Sequence, residues 1–267
     1  MQFGYCGGAS VSIAIQDFSV TGTPTDVLDI ERLSCHAYSL IGREYYDSTH
    51  ITCRNFDAVV NVYLNDHPII LEQGRRYIEV GCGRSRLSRY SDRGAQIVLV
   101  DISAQMLSHS FDDPSFSAFG VLGSAFRLPF RANAFESAFA FLADPYLHPN
   151  YITELNRIVR PGGRVVQVVP AHEWGSTLRA FRQSPAHFSH FFRGDREAFG
   201  PSFLLPKQEL INLLAVGGFR NIEVTDLFLP DSVDVESVSP DITTPAAIRG
   251  VSPYDLPILS VVEAVAI

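Results

Sequence analysis

The sequence predicts an α/β protein built on a parallel sheet with helices on both faces, and three observations carry that prediction. From residue 76 onward, apolar runs of strand length alternate with stretches of helical periodicity, the pattern of a sheet covered on both sides. Tyr77, Ile78, Glu79, Val80, Gly81, Cys82 and Gly83 read as a buried strand entering a tight turn. Glycines at 81 and 83 free the backbone for unusual dihedrals and let a ligand approach closely. Ile97, Val98, Leu99, Val100 and Asp101 repeat the theme, an apolar strand ending in an acid.

Taken in order, residues 1–23 offer one candidate strand, 11–15, and a loop. Pro24 and Asp26 mark a helix start, and apolar periodicity then runs through Leu40. Polar aromatics crowd residues 41–50, and a second helix is predicted over 55–64. Residues 1–70 are therefore read as an N-terminal cap and 71–267 as the sheet domain. Strands are predicted at 76–80, 97–101, 116–121, 137–142, 164–169, 221–226 and 259–266. Helices are predicted at 84–91, 103–109, 149–159 and 207–216, the last closed by Gly217 and Gly218 as a C-cap. Residues 171–206 interrupt the alternation with histidines, Trp174 and several phenylalanines, and read as a lid-like insertion. The Pro- and Ser-containing stretch 230–257 reads as a connection to the last strand.

Composition bounds the function. A chain of 267 residues can bury one large core, or one core with a lid. Its net charge of −8 disfavours non-specific binding to nucleic acid, which requires clustered Lys and Arg. The local run of Arg75, Arg76, Arg84, Arg86, Arg89 and Arg93 is read as the solvated face of the first sheet helix. Cys6, Cys35, Cys53 and Cys82 show neither C-x-x-C pairing nor zinc-ligand rhythm and fit reduced thiols, which points to a cytoplasmic enzyme. No run of 18 apolar residues predicts a membrane span, and the N-terminus lacks the basic region of a signal peptide.

Four motifs in order resemble the class I S-adenosylmethionine (SAM) dependent methyltransferases of the small-molecule type. They are Glu79 to Gly83, Asp101 to Leu107, Leu128 to Phe130, and Val159 to Gly163. The competing dinucleotide-binding pattern needs G-x-G-x-x-G, and Arg86 stands where its third glycine belongs. The resemblance implies a seven-stranded Rossmann-like sheet whose last strand is antiparallel, and SAM as cofactor. It also implies that Glu79 orients the glycine turn and contacts the methionine amino group. Gly81, Cys82 and Gly83 would lie against the cofactor, Cys82 as packing. Asp101 would take both ribose hydroxyls, and Ile102 and Met106 would flank the adenine. Ala125 and Phe126 would meet the ring, Ala125 through its backbone N–H, and Phe141 and Ala143 would run under the methionine part. Ser124 departs from the family, which places an acid there against the adenine amino group.

The fourth strand should face the methyl group. There Asp144, Pro145 and Tyr146 resemble the D-P-P-Y motif of amino-group methyltransferases with one proline missing, which makes Asp144 and Tyr146 candidates for holding an amine. A capping Asp-Pro turn is the alternative. Candidate bases are His148, His172 and Glu173, with Tyr45, Tyr46 and His50 from the cap, and the pattern does not choose among them. Trp174 reads as a wall of the substrate pocket. The implied reaction is methyl transfer to O or N of a small molecule. The alternatives are a degenerate SAM-fold binding protein, suggested by Ser124, and a nucleic-acid amino methyltransferase, suggested by Asp144 and the arginines.

Overall fold

The computed structural model describes residues 26–113, 115–143, 147–184, 187–193 and 196–267. Nine strands are present among them: β1 (Arg76–Val80), β2 (Gln96–Asp101), β3 (Phe119–Leu122), β4 (Phe135–Phe141), β5 (Val159–Pro170), β6 (Phe188–Arg193), β7 (Arg196–Pro201), β8 (Phe219–Leu227) and β9 (Leu259–Ala266). Seven form one sheet in the order β3-β2-β1-β4-β5-β9-β8, and β6 with β7 makes a separate antiparallel hairpin. Neighbours from β3 through β5 run parallel, whereas β9 is antiparallel to both β5 and β8. All seven predicted sheet strands are found.

Period-two alternation divides the core between the sheet's faces. Tyr77, Ile97, Leu99, Phe139, Phe141, Val166 and Val168 pack on one side, with Val59, Val60 and Leu64 of α2 (Ile51–Asp66). Trp174 and Leu178 of α5 (His172–Arg182) and Ile242 and Ala246 of α7 (Pro240–Arg249) join them. Ile78, Val80, Val98, Val100, Ala138, Ala140 and Val165 face the other way. There they meet Ile30 of α1 (Val27–Ile41), Ile152 and Leu155 of α4 (Pro149–Ile158), and Leu210 and Leu214 of α6 (Lys207–Val216). Burial on both faces explains why β1, β2 and β4 read as continuous apolar runs.

Three regions differ from the sequence expectation. The helix predicted over 84–91 is a 3₁₀ stretch, Leu87–Arg93, ended by Gly94 at φ 68°. Side chains have taken over its backbone groups: Glu79 accepts the amides of Arg86 and Leu87, and the Ser88 hydroxyl donates to Ser85 O. The helix predicted over 103–109 shortens to α3 (Ala104–Ser108), capped by Ser103. The connection 230–257 contains α7, which starts on the N-cap Ser239 with Pro240 behind it and stops at Gly250. Residues 171–206 hold α5 and the β6–β7 hairpin. The strand proposed at 11–15 lies outside the described residues.

Candidate functional site

The turn after β1 is built from the inside outward. Glu79 is wholly buried beneath it, where its carboxylate accepts the Ser85 hydroxyl and the amides of Arg86 (3.0 Å) and Leu87 (3.2 Å). Burial pushes its pKa up, against the pull of those hydrogen bonds. Gly81 and Gly83 have φ of 64° and 43°, the left-handed region in which glycine is free of strain. A β-carbon on Gly83 would lie 2.2 Å from the Tyr46 hydroxyl, so the turn also needs glycine for space. That hydroxyl accepts the Arg84 amide at 2.8 Å, and burial pushes its own pKa up.

Asp101 closes the turn from β2. Its Oδ2 accepts the Gly83 amide at 3.0 Å and its Oδ1 the Ser103 amide at 2.9 Å. Burial lifts its pKa to about 6, against the opposing pull of those amides. Ser110 donates to Gly83 O and, at 3.7 Å, to Cys82 Sγ. Burial holds the Cys82 thiol well above its ordinary range, so it packs as a neutral thiol.

Above this floor opens a chamber of about 850 Å³. Gly81, Cys82, Gly83, Asp101, Ile102, Met106, Ser124, Ala125, Phe126, Phe141 and Ala143 line it, together with Tyr45 and Tyr46 from the cap. Of the residues proposed to hold the cofactor, Glu79 alone does not line it, because it lies under the turn. Ser124 Oγ accepts the Phe126 amide at 3.1 Å.

A second chamber, about 920 Å³, shares Tyr45, Cys53 and Leu142 with the first. Its walls include His50, Phe56, Trp174, Phe188, Phe191 and Asp241. The Trp174 indole stands edge-on to Phe56, centroids 5.1 Å apart, and donates to Asp241 O at 2.7 Å. Arg182, also in this wall, pairs with the Asp241 carboxylate. Burial pushes the Cys53 thiol at the junction up to about 12.

The predicted catalytic residues separate. His50 lines the second chamber, with Nδ1 2.8 Å from Tyr45 O. His148 is the N-cap of α4, its Nδ1 accepting the Asn150 amide at 3.2 Å, and its ring stands edge-on to Phe126. Burial pushes its pKa down. His148, His172 and Glu173 are not among the residues lining either chamber. Asp144 and Tyr146 lie outside the described residues.

Sequence reasoning missed Glu31, Ser34 and Tyr38, which α1 lowers onto the first chamber, and Asp57 of α2, which pairs with Arg84 and Arg86. Asp57 and the two arginines could have been matched by charge. Glu31 and Ser34 carry no signal beyond polar residues one helical turn apart.

Residues 78–167 match the family described as a methyltransferase domain. No protein of curated function matches the chain. Among solved structures, geranyl diphosphate C-methyltransferase from Streptomyces coelicolor A3(2) superimposes with a TM-score of 0.60 at 14% identity, covering 92% of this chain and 100% of that one. The complex of the Haloferax volcanii Trm112 methyltransferase activator with a protein assigned as a methyltransferase gives 0.62 at 15% identity, covering 84% and 97%. An S-adenosylmethionine dependent methyltransferase from Mesorhizobium loti gives 0.54 at 17%, covering 79% and 99%. At these identities the structural likeness establishes the fold alone. The matched domain, the sheet order and the four ordered motifs together support a class I SAM-dependent methyltransferase with SAM as its cofactor. No described helix is long and apolar enough to cross a membrane.

Proposed function

We propose that this enzyme binds SAM in the first chamber and methylates an oxygen or nitrogen of a small organic acceptor held in the second. The observation that carries the reading is the lining shared at Tyr45, Cys53 and Leu142, which sets the two chambers side by side. Apolar walls carrying a few fixed polar groups are the make-up of a small-molecule cofactor pocket. Each Asp101 oxygen holds one amide and keeps a lone pair for a ribose hydroxyl. Ile102 and Met106 offer apolar surface to the adenine, and Gly81 and Gly83 bring bare backbone to the amino-acid part. Glu79 acts one layer down, fixing the turn rather than touching the ligand.

SAM supplies an activated methyl group on sulfur and a good leaving group. The protein's share is then alignment and exclusion of water, plus proton removal where the acceptor needs it. Residues 1–70 as a cap and 171–206 as a lid would provide the exclusion. Hydrogen bonding favours His50 as the base. Its Nδ1 faces a carbonyl, which only accepts, so Nδ1 carries the proton and Nε2 keeps a free lone pair. His148 has the opposite arrangement: Nδ1 accepts an amide, leaving Nε2 protonated in the neutral ring.

Two measurements test the proposal. Calorimetry with S-adenosylhomocysteine should give a micromolar Kd, and methyl-labelled SAM incubated with a metabolite extract should yield labelled small molecules. Absence of heat at high micromolar ligand, or label appearing only in protein or nucleic acid, would refute it.

A further inference from the structure

Two polar atoms on the first chamber find no hydrogen-bond partner among the described residues. Glu31 and Ser34 are three residues apart and share one face of α1, and both line the chamber. The two atoms are Glu31 Oε1 and Ser34 Oγ, both buried. Such atoms are rare in a folded protein, because a buried acceptor left unpaired forfeits its hydration for no return.

Their position limits what they serve. Glu31 Oε2 accepts Arg127 at 2.9 Å, and the Arg127 amide bonds to Ser124 O at 3.3 Å. The carboxylate is thereby tethered to the turn of Ser124, Ala125 and Phe126. Asp57 on the same wall is engaged by Arg84 and Arg86, and the Ser124 hydroxyl, which already accepts the Phe126 amide, offers only an uncharged oxygen. On the cofactor reading above, Asp101 serves the ribose and the glycine turn the amino-acid part. The donor then left over is the exocyclic amino group of the adenine.

We infer that Glu31 Oε1, aided by Ser34 Oγ, receives that amino group. The recognition carboxylate is delivered from the cap helix, while the turn after β3 carries an uncharged serine. Ser124 is then no mark of degeneracy, since the acid has moved to another element. The inference rests on the placement of SAM proposed above, and its test separates the two.

Calorimetry on the full chain should compare S-adenosylhomocysteine with S-inosylhomocysteine, which has oxygen in place of the amino group. The natural protein should prefer the adenosyl ligand by about tenfold or more, the scale of one hydrogen bond to a charged group. Glu31→Gln should erase most of that preference while leaving the inosyl ligand bound as well or better. Ser34→Ala should reduce it about threefold, and it carries the test if Glu31→Gln fails to fold. An unchanged preference in the folded variants overturns the inference alone. So does a Glu31→Gln effect confined to the KM of the acceptor, which would assign the subsite to the acceptor. A natural protein silent toward both ligands overturns the placement of SAM as well.

Discussion

The first chamber is floored by the carboxyl ends of β1, β2 and β4 and the turn after β3, whereas the second is walled by two helices, a hairpin and the start of α7. In the first, polar groups of the lining are fixed by backbone: Asp101 by two amides, Tyr46 by the Arg84 amide, Ser124 by the Phe126 amide. In the second they are fixed across long sequence separations, Trp174 to Asp241 O and Thr52 to Ser239. A backbone-fixed site loses its ligand when one side chain changes. A site assembled from separate segments shares the loss among them and can accept another shape.

Asp101→Asn should show the largest effect. If SAM is placed as proposed, the change removes two charge-assisted bonds to the ribose, so affinity for S-adenosylhomocysteine should fall about hundredfold or more by calorimetry. The pH dependence has a definite sign. The folded pKa, about 6, lies above the ordinary carboxylate value of about 4. The folded protein therefore binds this proton more tightly than the unfolded chain does. This group's contribution to stability is fully present below about pH 4 and is lost as pH rises through about 6. The melting temperature of the natural protein relative to Asp101→Asn should rise as pH falls from 7.5 to 5. Ligand affinity should move the other way, weakening in the natural protein as the carboxyl protonates and staying flat in the variant. A flat profile in both would mean that Asp101 does not meet the cofactor.

His50→Gln probes the second chamber at its junction with the first. Removal of a general base costs about a hundredfold in kcat at the lower end of its usual range, while S-adenosylhomocysteine binding should not change. Retained kcat would show that the acceptor loses its proton without help, leaving alignment as the second chamber's whole contribution.

The contrast between chambers also explains what could be read from the sequence. Strand-end sites are written in contiguous residues: an apolar run, an acid and two glycines place Glu79, Gly81, Gly83 and Asp101 together before any tertiary fact is known. The same holds for β1, β2 and β4, which are largely buried and read as apolar runs, whereas β3 and β8 are largely exposed. The partners of those residues were not legible. Glu31 reaches Ser124's turn only because α1 crosses it, and Trp174 finds Asp241 only because α5 packs against α7. α7 itself was legible in Ser239, Pro240 and Gly250, an N-cap, an N1 proline and a C-terminal glycine. The prolines and serines of 230–257 also read as loop composition, which masks that signal.

Trp174→Phe should give the smallest effect and the sharpest separation. Phenylalanine keeps an aromatic face toward Phe56 and the second chamber but cannot donate to Asp241 O. The lost bond is worth about 1 kcal/mol, lowering the melting temperature by roughly 2–4 °C for a domain of this size. Asp241 keeps its other ties, since its carboxylate pairs with Arg182 and accepts Thr52 Oγ1 at 3.3 Å. The wall should therefore loosen rather than collapse. Acceptor KM should rise a few-fold, about one neutral hydrogen bond's worth, while S-adenosylhomocysteine affinity stays within error. A matching loss in cofactor affinity would show that the two chambers are mechanically one site, joined through the shared wall at Tyr45, Cys53 and Leu142.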